Sequence, residues 1–308
     1  MLDDIVEKTI VSPRGQEQKL YIYAKPITQE EMYITVSGLE NLEAIKAENK
    51  EKYEKSGVDI PKWNAGTLHV KGRDASNVDL RNLELIVSSA LHSQAIRNHK
   101  TVEDEMPVTV IGVVETSDGY IIMGIRRGSV QGEQSCVMPL GYADHDRHPV
   151  EMFKDEGIEE VGIPKNMYSE VVVMGYQTDP DFTNGLNIVH YAKSTLTRDE
   201  ILRNYSEGLV IWKAGQQEAL SKGESAHNSR KAGHAAVENY NKANGTHYPV
   251  DAGDHDPMFM MEKKDIDSII YHKGLGREEG GEVKKYQIMG NSLGALVMYA
   301  DCVKRGVL

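Results

Sequence analysis

Apolar and polar positions alternate in two ways along the first hundred residues, and together they predict an α/β unit. β-Forming residues cluster at 19–25 (KLYIYAK) and 32–37 (MYITVS), which is typical of two strands. Apolar residues recur at helical spacing in 39–55 and 79–99, which gives each predicted helix one apolar face and one charged face. We therefore predict a separate N-terminal α/β domain over residues 1–105.

The middle of the chain has the pattern of a sheet built around one helix. Its first two β-rich runs are joined by Thr-Ser-Asp-Gly, and Asp-Gly between such runs is a strong hairpin signal. A short apolar run then ends in Pro139 and Gly141. The elements predicted here are strands at 108–114, 120–125, 135–141, 170–176 and 186–193 and a helix at about 149–161.

The last third of the chain extends beyond this core. We assign 106–308 to one domain, with its core at 107–202 and a C-terminal extension at 203–308. The elements predicted after the core are a helix beginning at 199–204, a short strand at 210–212, a helical stretch at 214–240, a loop at 241–256, a strand at 268–271, a glycine-rich break at 274–281 and an apolar helix at 292–303.

Three glutamates, Glu156, Glu159 and Glu160, fall within the predicted helix at 149–161. Spacings of three and four residues place their carboxylates on one side of a helix. Like charges at such spacings destabilise a helix, so the trio needs either open solvent or a cation. A hard cation with oxygen ligands, Mg²⁺ or Mn²⁺, is the natural candidate, whereas a solvated acidic face is the alternative.

The stretch 141–163 resembles the Nudix box, a loop-and-helix pattern written G-x5-E-x7-R-E-U-x-E-E-x-G-U with U an apolar residue. Three positions depart from it, because Arg147, Asp155 and Gly157 stand where the family has Glu, Arg and an apolar residue. The positions that match are Gly141, Glu156, Glu159, Glu160, Gly162 and Ile163.

Two of the departures are expected to compensate each other. The family's Glu and Arg tend to pair, so Arg147 and Asp155 are predicted to form a structural ion pair with the charges exchanged. Gly157 is less easily explained, because glycine inside a helix costs up to about 1 kcal/mol relative to alanine. We interpret it as a position where the backbone packs closely against a neighbour.

The resemblance implies a fold as well as a motif. It predicts an α/β (α+β) class with a Nudix-type α/β/α sandwich core, an N-terminal α/β extension and a C-terminal helical extension. Within the superfamily, the chain is similar to the UDP-sugar hydrolases in length, in its N-terminal extension, in the run VVETSDGYIIM and in the small-residue segment GALVMY.

The resemblance also implies a reaction. A Nudix hydrolase uses Mg²⁺ or Mn²⁺ to cleave the pyrophosphate bond of a nucleoside diphosphate linked to X, giving a nucleoside monophosphate and phospho-X. Carried over to this chain, Gly141, Glu156, Glu159 and Glu160 would hold the metal. Glu159 and Glu160 would be the catalytic residues, with Glu159 either a ligand or the base.

Residues outside the box are candidates for further roles. Arg126 and Arg127 end the second strand of the hairpin, and because successive strand residues face opposite sides, one of them must point toward the core or the cleft. A guanidinium group suits phosphate binding, although a solvated strand end is an equal alternative for each. Glu207 and Glu218 are candidate bases that lie after the last core strand.

Three other functions compete with hydrolysis. The altered box favours a catalytically silent Nudix-fold module that binds nucleotides or partners. An isomerase would require a cysteine in the cleft, but Cys136 is expected to be a core residue. The histidine-rich segments 144–148 and 254–256 contain metal-ligand types, yet they lack helical histidine pairs and are typical of surface loops.

Composition narrows the choice of partners. The chain has 308 residues and a net charge of −12, which disfavours nucleic acid and leaves a small nucleoside diphosphate derivative as the expected partner. No apolar run is long enough to cross a bilayer, and the acidic first ten residues are unlike a signal peptide, so we expect no membrane association and a cytoplasmic protein. Cys136 and Cys302 fit neither a disulfide framework nor a zinc spacing. A homodimer is expected from the Nudix resemblance.

Overall fold

A computed structural model describes residues 4–55, 65–97, 104–126, 134–143, 146–178, 185–253, 255–279 and 282–308. Over these residues the protein is of the α/β class, with seven α-helices and fourteen connected strands. The helices are α1 (Leu42–Lys55), α2 (Ala90–Arg97), α3 (Pro149–Glu156), α4 (Arg198–Ser221), α5 (Ala226–Asn244), α6 (Ile266–His272) and α7 (Gly290–Lys304). A π-helical turn, Gly157–Val161, continues α3.

The strands form one mixed sheet. They are β1 (Ile5–Val11), β2 (Glu17–Ile27), β3 (Tyr33–Ser37), β4 (Gly66–Lys71), β5 (Asn82–Ser89), β6 (Glu105–Glu115), β7 (Tyr120–Arg126), β8 (Gln134–Val137), β9 (Leu140–Tyr142), β10 (Tyr168–Thr178), β11 (Leu186–Ser194), β12 (Met258–Glu262), β13 (Gly274–Glu279) and β14 (Glu282–Ile288).

Most of the sheet is joined through β6. The main strand order is β1-β2-β10-β11-β6-β7-β8-β14-β13. β6 runs parallel to β11, and it pairs antiparallel with β4, β7 and β9 along different parts of its length. This apolar strand is buried over almost its whole length, as expected for a strand at the centre of a covered sheet.

Helices α3 and α7 cover opposite faces of the sheet. Successive residues of a strand point to opposite faces. In β11, His190 stacks on Phe153 of α3 with ring centroids 4.8 Å apart, while the next residue, Tyr191, stacks on Tyr299 of α7 at 5.7 Å. The core is therefore three layers, helix on sheet on helix, and the predicted α/β class is confirmed.

Most of the predicted strands are confirmed, and so is the predicted hairpin. β6 and β7 meet with Glu115 opposite Ile121, and Gly119 adopts a φ of 87°, which favours glycine in the turn. The predicted strands at 170–176 and 186–193 fall within β10 and β11, and the predicted final helix at 292–303 falls within α7. The sequence periodicity was informative here because each element buries one face.

The predicted helix at 79–99 is wrong over its first half, which forms β5 before α2 begins. In β5 the side chains of Leu83 and Leu85 are buried, whereas those of Asn82 and Glu84 are exposed. This period of two is that of a strand with one covered face. The apolar residues also fit a helical spacing, and pairing with β3 and β4 decides between the two.

Three predictions in the C-terminal extension are also wrong. The predicted strand at 210–212 lies inside α4, and the one at 268–271 lies inside α6, where Ile266 and Ile269 are buried at helical spacing. The predicted glycine-rich break at 274–281 begins with β13, which pairs with β14. The glycines permit this pairing, because a Cβ at Gly274 would lie 2.6 Å from the Tyr286 carbonyl oxygen.

Backbone hydrogen bonds cross the predicted domain boundary near residue 105. β2 pairs with β10, and β4 pairs with β6, so strands from both predicted domains share the sheet. The predicted division into 1–105 and 106–308 stays a prediction. Of the helices described, none is long and apolar enough to cross a membrane.

Candidate functional site

The first side of the candidate site is a helix whose ends are set by identifiable residues. His148 caps α3 by accepting a hydrogen bond from Val150 N at 3.2 Å, and Pro149 occupies the first turn, where its missing N–H costs nothing. The π-helical turn follows at Gly157. It ends at Gly162, whose φ of 77° is the left-handed conformation that closes many helices.

The three glutamates of this helix line one cleft of about 700 Å³, but at different depths. Glu160 is buried, with 6% of its surface exposed, Glu156 is half-buried and Glu159 is exposed. Glu159 and Glu160 lie in the π-helical turn, and Glu156 directly precedes it. We call the side chains of Glu156, Glu159 and Glu160, together with Gly141 beneath them, the acidic wall.

The missing side chain of Gly141 leaves the space that the Glu156 carboxylate occupies. A Cβ on Gly141 would lie 1.8 Å from Glu156 Oε1, so any larger residue at this position of β9 would displace the carboxylate. Burial, followed by the charges of Glu160 and Glu159, raises the pKa of Glu156 well above its usual value. The metal-free wall therefore resists holding all of its charges at once.

Glu160 is held by two donors. Its Oε2 accepts a hydrogen bond from Leu140 N at 3.0 Å, and its Oε1 lies 3.0 Å from His255 Nε2. Burial opposes protonation of His255, but the adjacent Glu160 outweighs it and raises the pKa of His255 well above its usual value. The second ring nitrogen of His255 lies 3.5 Å from Cys136 Sγ, and Cys136 is a core residue, as expected.

Glu159 differs from the other two in its surroundings. Desolvation in the cleft, followed by the charges of Asp155 and Glu160, raises the pKa of Glu159. A carboxyl group with a raised pKa is a better base near neutral pH. The carbonyl oxygen of Glu159 also accepts a hydrogen bond from Asp251 N at 2.9 Å, which ties this turn to a loop of the C-terminal extension.

The exchanged charges of the box do pair. Arg147 Nη1 lies 2.8 Å from Asp155 Oδ2, and Lys165 Nζ lies 2.6 Å from Asp155 Oδ1. Because Arg147 is about half exposed, the pair is worth little energy, and its effect is to hold the loop before α3 against the helix.

The presence of glycine at position 157 has a steric explanation. A Cβ at Gly157 would lie 2.0 Å from Tyr168 Oη, so the expected close packing is present. The Tyr168 hydroxyl forms no hydrogen bond with any of the residues that the structure describes. Gly157 thus makes room for a tyrosine on β10.

The second side of the cleft comes from the C-terminal extension. Arg230, His234 and Glu238 follow one another at intervals of four along α5 and line the cleft with Asp251. His234 Nδ1 lies 3.3 Å from Asp251 Oδ1. We call Arg230, His234, Glu238, Asp251 and His255 the opposite wall.

Trp212 of α4 holds this wall in place. A Cβ at Gly233 would lie 2.7 Å from the Trp212 ring, and one at Gly253 would lie 2.5 Å from it, so both glycines admit the indole. The wall is further fixed by Tyr205, whose hydroxyl lies 2.7 Å from Ala252 O and 2.9 Å from His255 O. The packing of one buried indole therefore sets the distance between α5 and the loop.

The charge of the cleft is mixed but mainly negative. Six carboxylates line it, against three guanidinium groups from Arg126, Arg147 and Arg230. Arg126 thus faces the cleft, as one of the two strand-end arginines was expected to, whereas Arg127 lies outside the described residues. Such a surface repels a polyphosphate unless a cation is also present.

Several sequence candidates lie elsewhere. Glu207 is bonded to the Tyr248 hydroxyl and Glu218 to Lys222, and neither lines the cleft. His148 caps α3 rather than facing the cleft, and His145 lies outside the described residues. His255 could be recognised from the sequence as a candidate, since it stands between two aspartates. Arg230, His234 and Glu238 could not be recognised, because they lie in a helix of ordinary polar composition.

Comparisons with known proteins identify no family. No family model matches the chain, and no curated protein matches it. Among solved structures, the chain is similar to a NUDIX hydrolase from Nitrosomonas europaea, with 19% sequence identity and a TM-score of 0.25. That match covers 31% of this chain and 64% of the other.

Proposed function

We propose that the protein is a divalent-metal-dependent hydrolase that cleaves the pyrophosphate bond of a nucleoside diphosphate linked to X. The observation that carries the proposal is the composition of the cleft, in which the carboxylates of Glu156, Glu159 and Glu160 face the same space as the guanidinium groups of Arg126 and Arg230. Carboxylates bind hard cations and guanidinium groups bind phosphate oxygens, so the two sets suit a metal-bound diphosphate.

The residues fit a hard divalent cation. The donor set is oxygen only, and the carboxylate of Glu156 packs directly on Gly141, where a side chain would exclude it. The raised pKa of Glu156 reflects charges that a cation would neutralise. We assign Gly141, Glu156, Glu159 and Glu160 to an Mg²⁺ or Mn²⁺ site, and the bound ion would supply charge neutralisation and a more acidic water.

The side chains have separate roles in this proposal. Arg126 and Arg230 bind the diphosphate oxygens and orient the scissile bond. Glu159 either completes the metal site or, if it stays unbound, accepts a proton from the attacking water. Glu160 is fixed by Leu140 N and His255, so its carboxylate is held in one position in the cleft.

The identity of X stays open within this proposal. Its nucleoside monophosphate and phospho-X products are common to the class, and a UDP-sugar is the substrate that the sequence resemblance favours. The partner is a small molecule, while the homodimer and the cytoplasmic location stay predictions from the sequence.

Turnover of a substrate panel tests the proposal directly. UDP-glucose, ADP-ribose, NADH and a dinucleoside polyphosphate would be incubated with Mg²⁺ or Mn²⁺ in water enriched in ¹⁸O. We expect one substrate to give a nucleoside monophosphate and a phosphorylated product, with one ¹⁸O incorporated. The Glu160→Gln variant should lower kcat/KM by about 10²–10³-fold.

The control is Glu218→Gln, an exposed position of α4 outside the cleft, which should keep full activity. If a nucleotide bound but was not turned over with either metal ion, the proposed hydrolysis would be contradicted. It would favour the silent binding module, for which the occupied hydrogen-bonding positions of Glu160 are the supporting observation.

A further inference from the structure

Two histidines and a glutamate meet away from the acidic wall. His69 of β4, His92 of α2 and Glu105 of β6 each present a ligand-type atom, and these atoms all lie within 4.8 Å of one another. Glu105 Oε2 lies 2.8 Å from His69 Nδ1, and Glu105 Oε1 lies 2.7 Å from His92 Nε2. We call these three side chains the histidine cluster.

The other nitrogen of each ring is held by a hydroxyl group. His69 Nε2 lies 2.7 Å from Ser93 Oγ, and His92 Nδ1 lies 2.6 Å from Tyr53 Oη. Histidines that bind metal ions nearly always have their second nitrogen fixed in this way, because the hydrogen bond sets the tautomer and the angle of the ring. Both rings of the cluster are therefore already oriented toward Glu105.

The cluster is buried, so its side chains must be paired with one another or with a bound ion. His69 is fully buried, and 5% of His92 is exposed. Buried charged groups are paired or coordinate metals, and a metal ion is bound by a carboxylate and by neutral imidazole rings.

Two patterns of hydrogen atoms satisfy this geometry. In a metal-free network, Ser93 donates to His69, and both rings donate to Glu105. In a metal-bound site, Ser93 donates to Ser89 O, which lies 3.2 Å away, and accepts from His69 Nε2, so that His69 Nδ1 is left to bind an ion. In the second pattern Ser93 keeps its hydrogen bonds to both Ser89 and His69.

We propose that His69, His92 and Glu105 bind a divalent transition-metal ion of the Zn²⁺ type. Two imidazole nitrogens and one carboxylate form a ligand set that zinc uses, and they leave a coordination position for water. Ser93 cannot serve as a nucleophile in place of a metal site, because it is fully buried. The site joins β4, α2 and the first residue of β6.

This site differs in chemistry from the acidic wall and does not depend on the proposed hydrolysis. The acidic wall offers oxygen ligands to a hard ion, whereas the histidine cluster offers two nitrogens to a softer one. The two adjoin through Thr67, whose side chain bonds to Ser93 at 2.8 Å and which also lines the cleft.

Zinc binding by the full chain tests the proposal. The metal-free protein would be titrated with Zn²⁺ against a chromophoric chelator, in excess Mg²⁺ so that carboxylate sites are occupied. We expect one tight Zn²⁺ per chain and, at a hundredfold excess over Kd, a rise in Tm of roughly 4 °C. Absence of a tight Zn²⁺ in the wild type would overturn the proposal without any variant.

Three variants locate the ion. His92→Gln removes a ligand and should weaken Zn²⁺ binding by more than about 100-fold, whereas Tyr53→Phe removes only the orienting hydroxyl and should weaken it by about 10-fold. His272→Gln changes an exposed histidine of α6 and should bind as the wild type does. Tight binding retained in His92→Gln would overturn the assignment.

Glu160→Gln separates the two sites. It should keep the tight Zn²⁺, and loss of that ion in Glu160→Gln but not in His92→Gln would place it at the acidic wall instead. If His92→Gln proves unfolded by circular dichroism, the graded loss in Tyr53→Phe decides the matter. Wild-type affinity in Tyr53→Phe would then count against the site.

Discussion

The two walls of the cleft are built by different means. The acidic wall comes from one continuous segment, 141–163. Its geometry depends on two glycines: Gly141 leaves space for Glu156, and Gly162 takes the left-handed conformation that ends the helix. The opposite wall comes from α5 and a loop some seventy to one hundred residues later. A buried indole, that of Trp212, sets its position.

The difference shows which part of a site can leave a motif in a sequence. A glycine that makes room for a carboxylate must lie at a fixed separation from it within one loop and helix, so the spacing is readable. A side chain placed by packing needs only a helix in the right position. On the proposed function, the acidic wall carries the reaction, and the opposite wall recognises the rest of the substrate.

Removal of Trp212 should have the largest effect on this comparison. Trp212→Ala leaves a cavity against Gly233 and Gly253, and we expect it to lower the free energy of unfolding by about 3 kcal/mol. It should raise KM for the substrate more than it lowers kcat, because only the opposite wall shifts. Urea denaturation and steady-state kinetics measure the two effects.

Trp212→Phe is the matched control, with an expected loss below about 1.5 kcal/mol. If Trp212→Ala lowered kcat as severely as Glu160→Gln does, the proposal that the acidic wall carries the reaction and the opposite wall recognises the substrate would be wrong.

Replacement of Gly157 should disturb the acidic wall alone. In Gly157→Ala the new Cβ would approach Tyr168 Oη to 2.0 Å, and we expect a loss of stability of about 2 kcal/mol despite the better helix propensity of alanine. Adding Tyr168→Phe removes the clashing hydroxyl and should restore most of the loss. Thermal unfolding of the single and double variants measures the coupling, and no restoration would mean that Gly157 is needed for another reason.

Neutralising Glu156 should have the smallest effect, and the size of this effect depends on pH. The pKa of Glu156 is raised on folding, so the folded state holds this proton more tightly than the unfolded state. Relative to Glu156→Gln, the metal-free wild type should therefore be equally stable below the unfolded pKa of about 4.5 and lose stability as pH rises through the folded pKa.

At pH 8 in chelator we expect Glu156→Gln to be the more stable protein by on the order of 1 kcal/mol. Saturating Mg²⁺ should cancel or reverse the difference, because the wild type alone then gains from the ion. Denaturation at pH 4 and pH 8, with and without Mg²⁺, makes the comparison. A wild type that is the more stable at pH 8 without metal would show that the wall is not strained by its charges.

Much of the core could be predicted from the sequence because its elements bury one face. The hairpin of β6 and β7, the two strands β10 and β11, and α7 all repeat apolar residues with one clear period. The segment 79–99 failed because Leu83 and Leu85 fit both periods, and only pairing with distant strands selects the extended form. Local pattern cannot decide between two states that tertiary contacts separate.

The candidate site divides in the same way. The ion pair of Arg147 with Asp155 and the close packing at Gly157 followed from positions within one motif. Arg230, His234 and Glu238 could not be foreseen, because the fold, and not their spacing to Glu156, brings them to the cleft. Trp212 was read as part of a strand, since a single apolar triplet has no period.

The hydrogen bond from Asp251 N to Glu159 O joins the two walls through main-chain atoms alone. Every residue except proline carries that donor, so no exchange of side chains elsewhere in the opposite wall removes the bond. On the proposed function, substitutions can therefore alter what this wall recognises, one residue at a time, while the main chain that carries the glutamates keeps its shape. Substrate specificity is then free to change faster than the reaction over long divergence.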